Sequence, residues 1–273
     1  PSFSFGSIST AMSERPSAAV GLIVPPANPT LEVEIHALTG QSPYVYTSRL
    51  PWFPGEDLAA RNLLYLDSYL DTARRFGNLQ LAGILVGCTG SNYRLGPEED
   101  RRRCAAASRE LGIPFQTCSL AVLELLQRLG FQRIQLELPY PDWLIAEAEA
   151  YWLAAGFEVT VSRSILATLG SSDAYGIEQA EIVDYLTSIA PPPQTVVLLS
   201  GTGMLTIAAM GQVVQSFPAP LISSNLCAAD WLLRCDPASS HRGTDQYRQL
   251  LARLEGFARC SDSAGVDNLF NPF

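Results

Sequence analysis

Two short stretches of this 273-residue chain place small hydroxyl-bearing residues, and in one case a thiol, where an apolar run stops. One is Ile84-Leu85-Val86-Gly87-Cys88-Thr89-Gly90-Ser91, and the other is Val197-Leu198-Leu199-Ser200-Gly201-Thr202-Gly203-Met204. A buried parallel strand that ends in a tight turn into a helix has this pattern. Backbone N–H groups and hydroxyls converge at such turns and the helix dipole favours negative charge there, so both stretches read as anion sites. They differ at one chemically loud position: Cys88 stands in the first where Gly201 stands in the second. A thiol can donate a proton, abstract one or attack carbon, and a glycine can do none of these.

The elements that must position these turns repeat as well. Gly21-Leu22-Ile23-Val24-Pro25-Pro26 is echoed by Ile134-Gln135-Leu136-Glu137-Leu138-Pro139-Tyr140-Pro141, and Pro114-Phe115-Gln116-Thr117-Cys118-Ser119 by Pro220-Leu221-Ile222-Ser223-Ser224-Asn225. Three units recurring in one order predict an α/β protein of two similar Rossmann-like lobes. Each lobe would carry a parallel four-stranded sheet, with a pseudo-twofold setting the strand ends across a cleft. The alternation predicts strands over 19–24, 44–48, 81–87 and 114–118, with helices near 30–38 and over 56–76, 97–111 and 119–129. The second lobe reads as strands 132–138, 157–161, 195–200 and 220–224, with helices 142–155, 175–189, 203–216 and about 226–234. Residues 18–119 then form lobe 1, 120–225 lobe 2 and 226–260 return helices, of which 244–258 packs back on lobe 1. Residues 1–17 are expected as a flexible arm, with Met12 a candidate initiator, and 261–273 as a tail.

Composition narrows the function classes. A hydrophobic content of 47% can furnish two cores, and a net charge of −9 with few basic clusters argues against nucleic acid and anionic membranes. Arg101-Arg102-Arg103 follows Glu98-Glu99-Asp100 and reads as a salt-bridged helix face. No apolar stretch reaches the about 18 residues of a membrane helix, and no secretory signal pattern is present, so a cytoplasmic location is expected. The six cysteines are scattered without CxxC or Cys/His clusters. His36 and His241 lie far apart, which argues against a His-based triad or zinc site. No phosphate-loop lysine motif or GxGxxG follows the first strand, so no cofactor is expected.

With the segments placed, Gly21-Leu22-Ile23-Val24-Pro25-Pro26-Ala27-Asn28-Pro29-Thr30-Leu31-Glu32-Val33-Glu34 resembles the opening of maleate cis-trans isomerases, and its Pro-Pro pair is similar to arylmalonate decarboxylases. Gly87-Cys88-Thr89-Gly90-Ser91 with Tyr93-Arg94 resembles the first catalytic loop of the aspartate/glutamate racemase superfamily. Leu138-Pro139-Tyr140-Pro141-Asp142 carries the tyrosine expected at the second-lobe entrance, and Leu198 to Thr206 is similar to the second catalytic loop. The resemblance covers about residues 19–235. It implies cofactor-free chemistry at a carbon acid, performed by two cysteines in racemases and by one second-loop cysteine in arylmalonate decarboxylases. This chain departs from both, with Cys88 in the first loop and Gly201 in the second.

Cys88 and Tyr140 are therefore the expected catalytic residues, and Pro25, Pro26, Asn28, Thr89, Gly90, Ser91, Ser200, Gly201, Thr202, Gly203 and Met204 the expected substrate contacts. Loss of CO2 from a substituted malonate leaves an enediolate, which the N–H groups of 88–90 and 201–203, the hydroxyls of Thr89, Ser91 and Thr202 and the Tyr140 phenol could hold. Val24, Pro25, Pro26 and Met204 could form an apolar wall for the departing carboxylate. Cys88 would protonate the carbanion from one face. If it is a thiolate, maleate-type isomerisation with Asn28 as a carboxylate ligand is the alternative. An amino-acid or hydantoin-type racemase, and a non-catalytic binder of small carboxylates, also remain open, as does a homo-oligomer. Bland alternatives stand beside each residue: Cys88 a core thiol, Tyr140 a turn residue, Asn28 a helix cap, Glu32 and Glu34 complements to the helix dipole, Trp143 and Trp231 packing groups.

Overall fold

The computed structural model describes residues 18–171, 173–236 and 243–266. The arm expected over 1–17 and His241 lie outside the described residues, as does the tail beyond 266. Two parallel four-stranded sheets form, in the orders β2-β1-β3-β4 and β6-β5-β7-β8. The first is built from β1 (Ala19–Val24), β2 (Tyr44–Arg49), β3 (Ile84–Val86) and β4 (Phe115–Thr117). The second is built from β5 (Arg133–Leu138), β6 (Glu158–Ser164), β7 (Val196–Leu199) and β8 (Leu221–Ser223). The repeat read from the sequence is thus a repeat of topology.

The central strands β1, β3 and β7 are apolar along their whole length because helices cover both faces, whereas β5 also buries Gln135 and Glu137, with Glu137 accepting from the Gln135 amide and the Tyr185 hydroxyl. In the first lobe these helices are α1 (Leu31–Thr39), α2 (Leu58–Arg74), the single turn α3 (Gly90–Tyr93), α4 (Gly96–Leu111) and α5 (Cys118–Arg128). In the second they are α6 (Asp142–Ala154), the short α7 (Ile165–Leu169), α8 (Gln179–Ser188), α9 (Thr206–Val213) and α10 (Ser224–Arg234). Equivalent side chains start the equivalent helices: Thr117 accepts from the Leu120 N–H to cap α5, and Ser223 from the Leu226 N–H to cap α10. Helices α5 and α10 pack on each other and join the lobes.

Strands β1 and β3 are neighbours at the point where the strand order reverses, with Ile23 beside Val86. The turns after them, Pro25–Asn28 and Cys88–Ser91, therefore emerge side by side at the carboxyl edge, where open α/β sheets hold ligands. Strands β5 and β7 do the same for Pro139–Tyr140 and Ser200–Gly203, with Glu137 beside Leu199.

Several boundaries differ from the sequence reading. Helix α9 begins at Thr206 rather than 203, which leaves the second turn as a loop. The helix expected over 175–189 is a 3-10 turn at Ala174–Gly176 followed by α8. Helix α11 (Asp245–Val266) runs past 258 into the expected tail. It rests on α9 of the second lobe as well as on α1, with Gln246 donating to the Ile207 carbonyl and the Thr244 N–H to that of Leu38. Among the described residues no helix is long and apolar enough to cross a membrane.

Candidate active site

The four turns enclose a cavity of about 290 Å3 between the lobes. Pro25, Asn28, Cys88, Thr89 and Gly90 line it from lobe 1, and Tyr140, Gly201, Thr202 and Gly203 from lobe 2. Cys88 is the cysteine on this wall, 8% exposed. Cys104, Cys118 and Cys227 are buried elsewhere, and Cys235 and Cys260 lie away from it.

The Cys88 thiol sits 2.9 Å from the Ser91 hydroxyl, which is 2.7 Å from the Tyr69 hydroxyl on α2. Burial pushes the thiol above its ordinary range, against hydrogen bonds from Ser91 and Tyr69 and the more distant charge of Arg61. A helix N-terminus would lower it, but α3 is one turn long and carries little dipole. Burial thus favours the protonated form of Cys88.

Across the cleft the Tyr140 and Thr89 hydroxyls are 2.7 Å apart. Two hydroxyl hydrogens serve that one bond, so the pair has one to spare for a ligand. Among the described residues the N–H groups of Thr89, Gly90, Thr202 and Gly203 donate to no protein acceptor. The Gly201 N–H is used, donating to the Ser224 hydroxyl.

Other expected contacts are spent on structure. Thr202 donates its hydroxyl to the Gly87 carbonyl at 3.0 Å and accepts from the Asn28 amide at 3.1 Å, so it has no proton left for an oxyanion. Asn28 caps α1 by accepting from the Thr30 and Leu31 N–H groups, and keeps one amide hydrogen at the cavity. Ser91 lies behind Cys88, and Ser200, fully buried, bonds the Tyr93 hydroxyl. Met204 and Val24 are fully buried in the core. Pro26 is off the wall, its carbonyl accepting from Arg49. The apolar wall is instead made by Pro25, Pro139, Pro141, Leu144 and Leu166.

Helix α1 holds the second turn in place. Thr30 donates to the Gly203 carbonyl, and buried Glu34 accepts from the Thr206 hydroxyl, the Ile207 N–H and the Asn225 amide. Glu34 is therefore no surface complement to the helix dipole; desolvation raises its pKa from 4.5 to about 7, opposed by those bonds. Glu32 is half-buried and pairs with the exposed Arg49. Trp143 packs under the Arg94 guanidinium, 5.5 Å from its ring centre, and buried Trp231 is a core residue.

Gly201 has φ +139°, and a Cβ there would lie 2.6 Å from Pro139 Cγ. A cysteine at this place is therefore strained, which removes the second-face thiol on steric grounds as well as by sequence. Gly203 admits the Tyr175 ring, 2.4 Å from where its Cβ would stand.

The sequence reading missed the rim. Leu58, Arg61, Asn62 and Tyr65 of α2, Trp52 before it, and Asp173, Ala174 and Tyr175 of the second lobe all line the cavity. The available signal was Asn62, a polar residue within the stripe Leu58, Tyr65, Leu66, Tyr69 at helical spacing. Among the described residues no cluster of three or more His, Cys, Asp or Glu could hold a metal.

Comparison with known proteins gives one consistent result. The family model for arylmalonate decarboxylase matches residues 20–244. The arylmalonate decarboxylase of Bordetella bronchiseptica is 28% identical over 218 residues, 78% of this chain and 88% of that protein. A maleate isomerase of Nocardia farcinica is 28% identical over 156 residues, 54% of this chain and 61% of that protein. Among solved structures, a liganded arylmalonate decarboxylase with one glycine changed to cysteine and one cysteine to serine superposes with TM-score 0.72 at 23% identity, covering 84% of this chain and 97% of that one.

Proposed function

The chain belongs to the arylmalonate decarboxylase family, and on that premise we propose that it releases one carboxyl group of a substituted malonate as CO2 and protonates the resulting enediolate from Cys88. The observation that carries this reading is a cavity with one buried thiol facing a glycine that has no room for another.

The retained carboxylate lies against the N–H groups of Thr89 and Gly90, the N–H groups of Thr202 and Gly203 and the spare hydrogen of the Thr89–Tyr140 pair. These donors strengthen as the carbon–carbon electron pair moves onto its oxygens. The departing carboxylate faces the Pro25, Pro139 and Leu144 wall, where loss of its charge relieves an unfavourable burial. The Cys88 proton passes to the α-carbon, and the thiolate takes its replacement from solvent. The net reaction consumes one proton and yields CO2 and a monocarboxylate.

The maleate isomerase relative favours a second reading, in which a thiolate adds to an alkene diacid. That step needs the form of Cys88 which burial disfavours. A panel of malonates and maleate, incubated with the native protein and with Cys88→Ala, tests the choice. We expect CO2 from malonates with the native protein and none with Cys88→Ala, whose unchanged circular dichroism would show that it folds. Fumarate from maleate without CO2 from any malonate would overturn the proposal.

A further inference from the structure

The mechanism leaves the cation at the cavity without a task. Arg61, on the first turns of α2, is half-buried and lines the same space as Cys88. Among the described residues its guanidinium makes no hydrogen bond or ion pair. Its charge reaches Cys88, Tyr65 and Tyr175, each of whose ionised forms it favours. Beside it Asn62 is 3% exposed, with a buried amide nitrogen that finds no partner. The Tyr65 hydroxyl, at the same wall, also donates to no protein acceptor. Asp173 is the nearby carboxylate at the rim, and it accepts from the Tyr175 N–H rather than pairing with Arg61.

A guanidinium partly withdrawn from water, with unmet donors next to it, is matched by a planar anion. Neither reacting carboxylate suits the place. The retained one is held by the backbone turns, and a cation on the departing one would stabilise the ground state and slow its loss. A third anionic group, on the substrate's side chain, meets both conditions.

We propose that Arg61, Asn62 and Tyr65 form a subsite for a side-chain carboxylate, so that the preferred substrate is a malonate bearing an acidic substituent. The inference rests on the decarboxylase reading for its substrate and on the rim geometry for its site.

The test compares 2-carboxyethyl- and 4-carboxyphenylmalonate with the isosteric carboxamides in the native protein, Arg61→Gln and Arg61→Lys. Calorimetry follows binding of the unreactive 4-carboxyphenylacetate and 4-carbamoylphenylacetate. We expect the native kcat/KM to favour at least one acid over its amide by tenfold or more. Arg61→Gln should bring the ratio near one, and Arg61→Lys should keep part of it. A native ratio of one for both pairs, or a ratio that Arg61→Gln leaves intact, overturns the subsite. CO2 release without acid preference sinks the subsite and spares the decarboxylase. Acid-selective binding that Arg61→Gln abolishes, with no CO2 from any malonate, sinks the decarboxylase and spares the subsite. Should Arg61→Gln not fold, the native ratio and Arg61→Lys decide.

Discussion

Among single residues, the buried thiol of Cys88 and the Thr89–Tyr140 hydroxyl pair set the chemistry proposed for the cavity. Burial holds Cys88 above the usual thiol range, and an acid catalyst is lost as pH rises through its own pKa. The pH profile of kcat/KM should therefore be level through neutrality and fall only above the range where ordinary thiols ionise. Alkylation by iodoacetamide should be slow at pH 7 and speed up over the same alkaline range. A fall beginning below pH 8, with fast alkylation at pH 7, would show a thiolate and favour the isomerase. Tyr140→Phe removes the spare hydrogen of the Thr89 pair. A lost oxyanion donor costs about 2.7–4 kcal/mol, so kcat should drop by roughly 100-fold or more with KM little changed; an unchanged kcat would make Tyr140 structural. Cys88, Thr89 and Tyr140 were legible because each sits at a strand end, where the pattern breaks off into chemistry. Arg61 was not legible, since on a helix a lone arginine reads as a solvated face until the fold sets it across from Cys88.

At the scale of elements, α1 is the part that the sequence reading undervalued. Asn28, Thr30 and Glu34 each reach the second turn or the start of α9, so one helix N-terminus fixes both sides of the cleft. Glu34 and Glu32 look alike in sequence, and only the packed second lobe distinguishes a buried acceptor of three bonds from a surface ion pair. Glu34 has a folded pKa of about 7 against an ordinary 4.5, through burial. Between those values the unfolded chain ionises it while the folded chain keeps the proton, so its contribution to stability falls as pH rises from 4.5 and levels off above 7. Buried Asp100, also raised to about 7, acts in the same direction. Urea unfolding at pH 5 and pH 8 should show a drop in the native protein that is smaller in Glu34→Gln. An equal drop in both would mean that Glu34 ionises normally. Glu34→Ala should lower stability by about 1–3 kcal/mol, because the Ile207 N–H and the Asn225 amide lose their acceptor.

At the scale of the whole molecule the twofold repeat of strands, turns and capped helices was readable, because buried parallel strands and their terminal turns leave a local imprint. The joining of the lobes was not. It depends on α5 against α10 and on α11 lying over both halves, which are long-range contacts with no local signature. Within that symmetry the two turns that face each other across the cavity are unequal, with a thiol on one side and a crowded, positive-φ glycine on the other. Gly201→Cys should lower the melting temperature and the rate of CO2 release; fast racemisation of product by a stable Gly201→Cys protein would refute this steric reading. Decarboxylation of a prochiral 2-alkyl-2-arylmalonate in D2O, followed by proton NMR and chiral separation, decides whether the proton arrives from one face. One-sided delivery from Cys88 predicts CO2, one deuteron at the α-carbon, a single enantiomer in large excess and no later exchange of that position. A racemic product, or one whose α-position goes on exchanging with solvent, would contradict it.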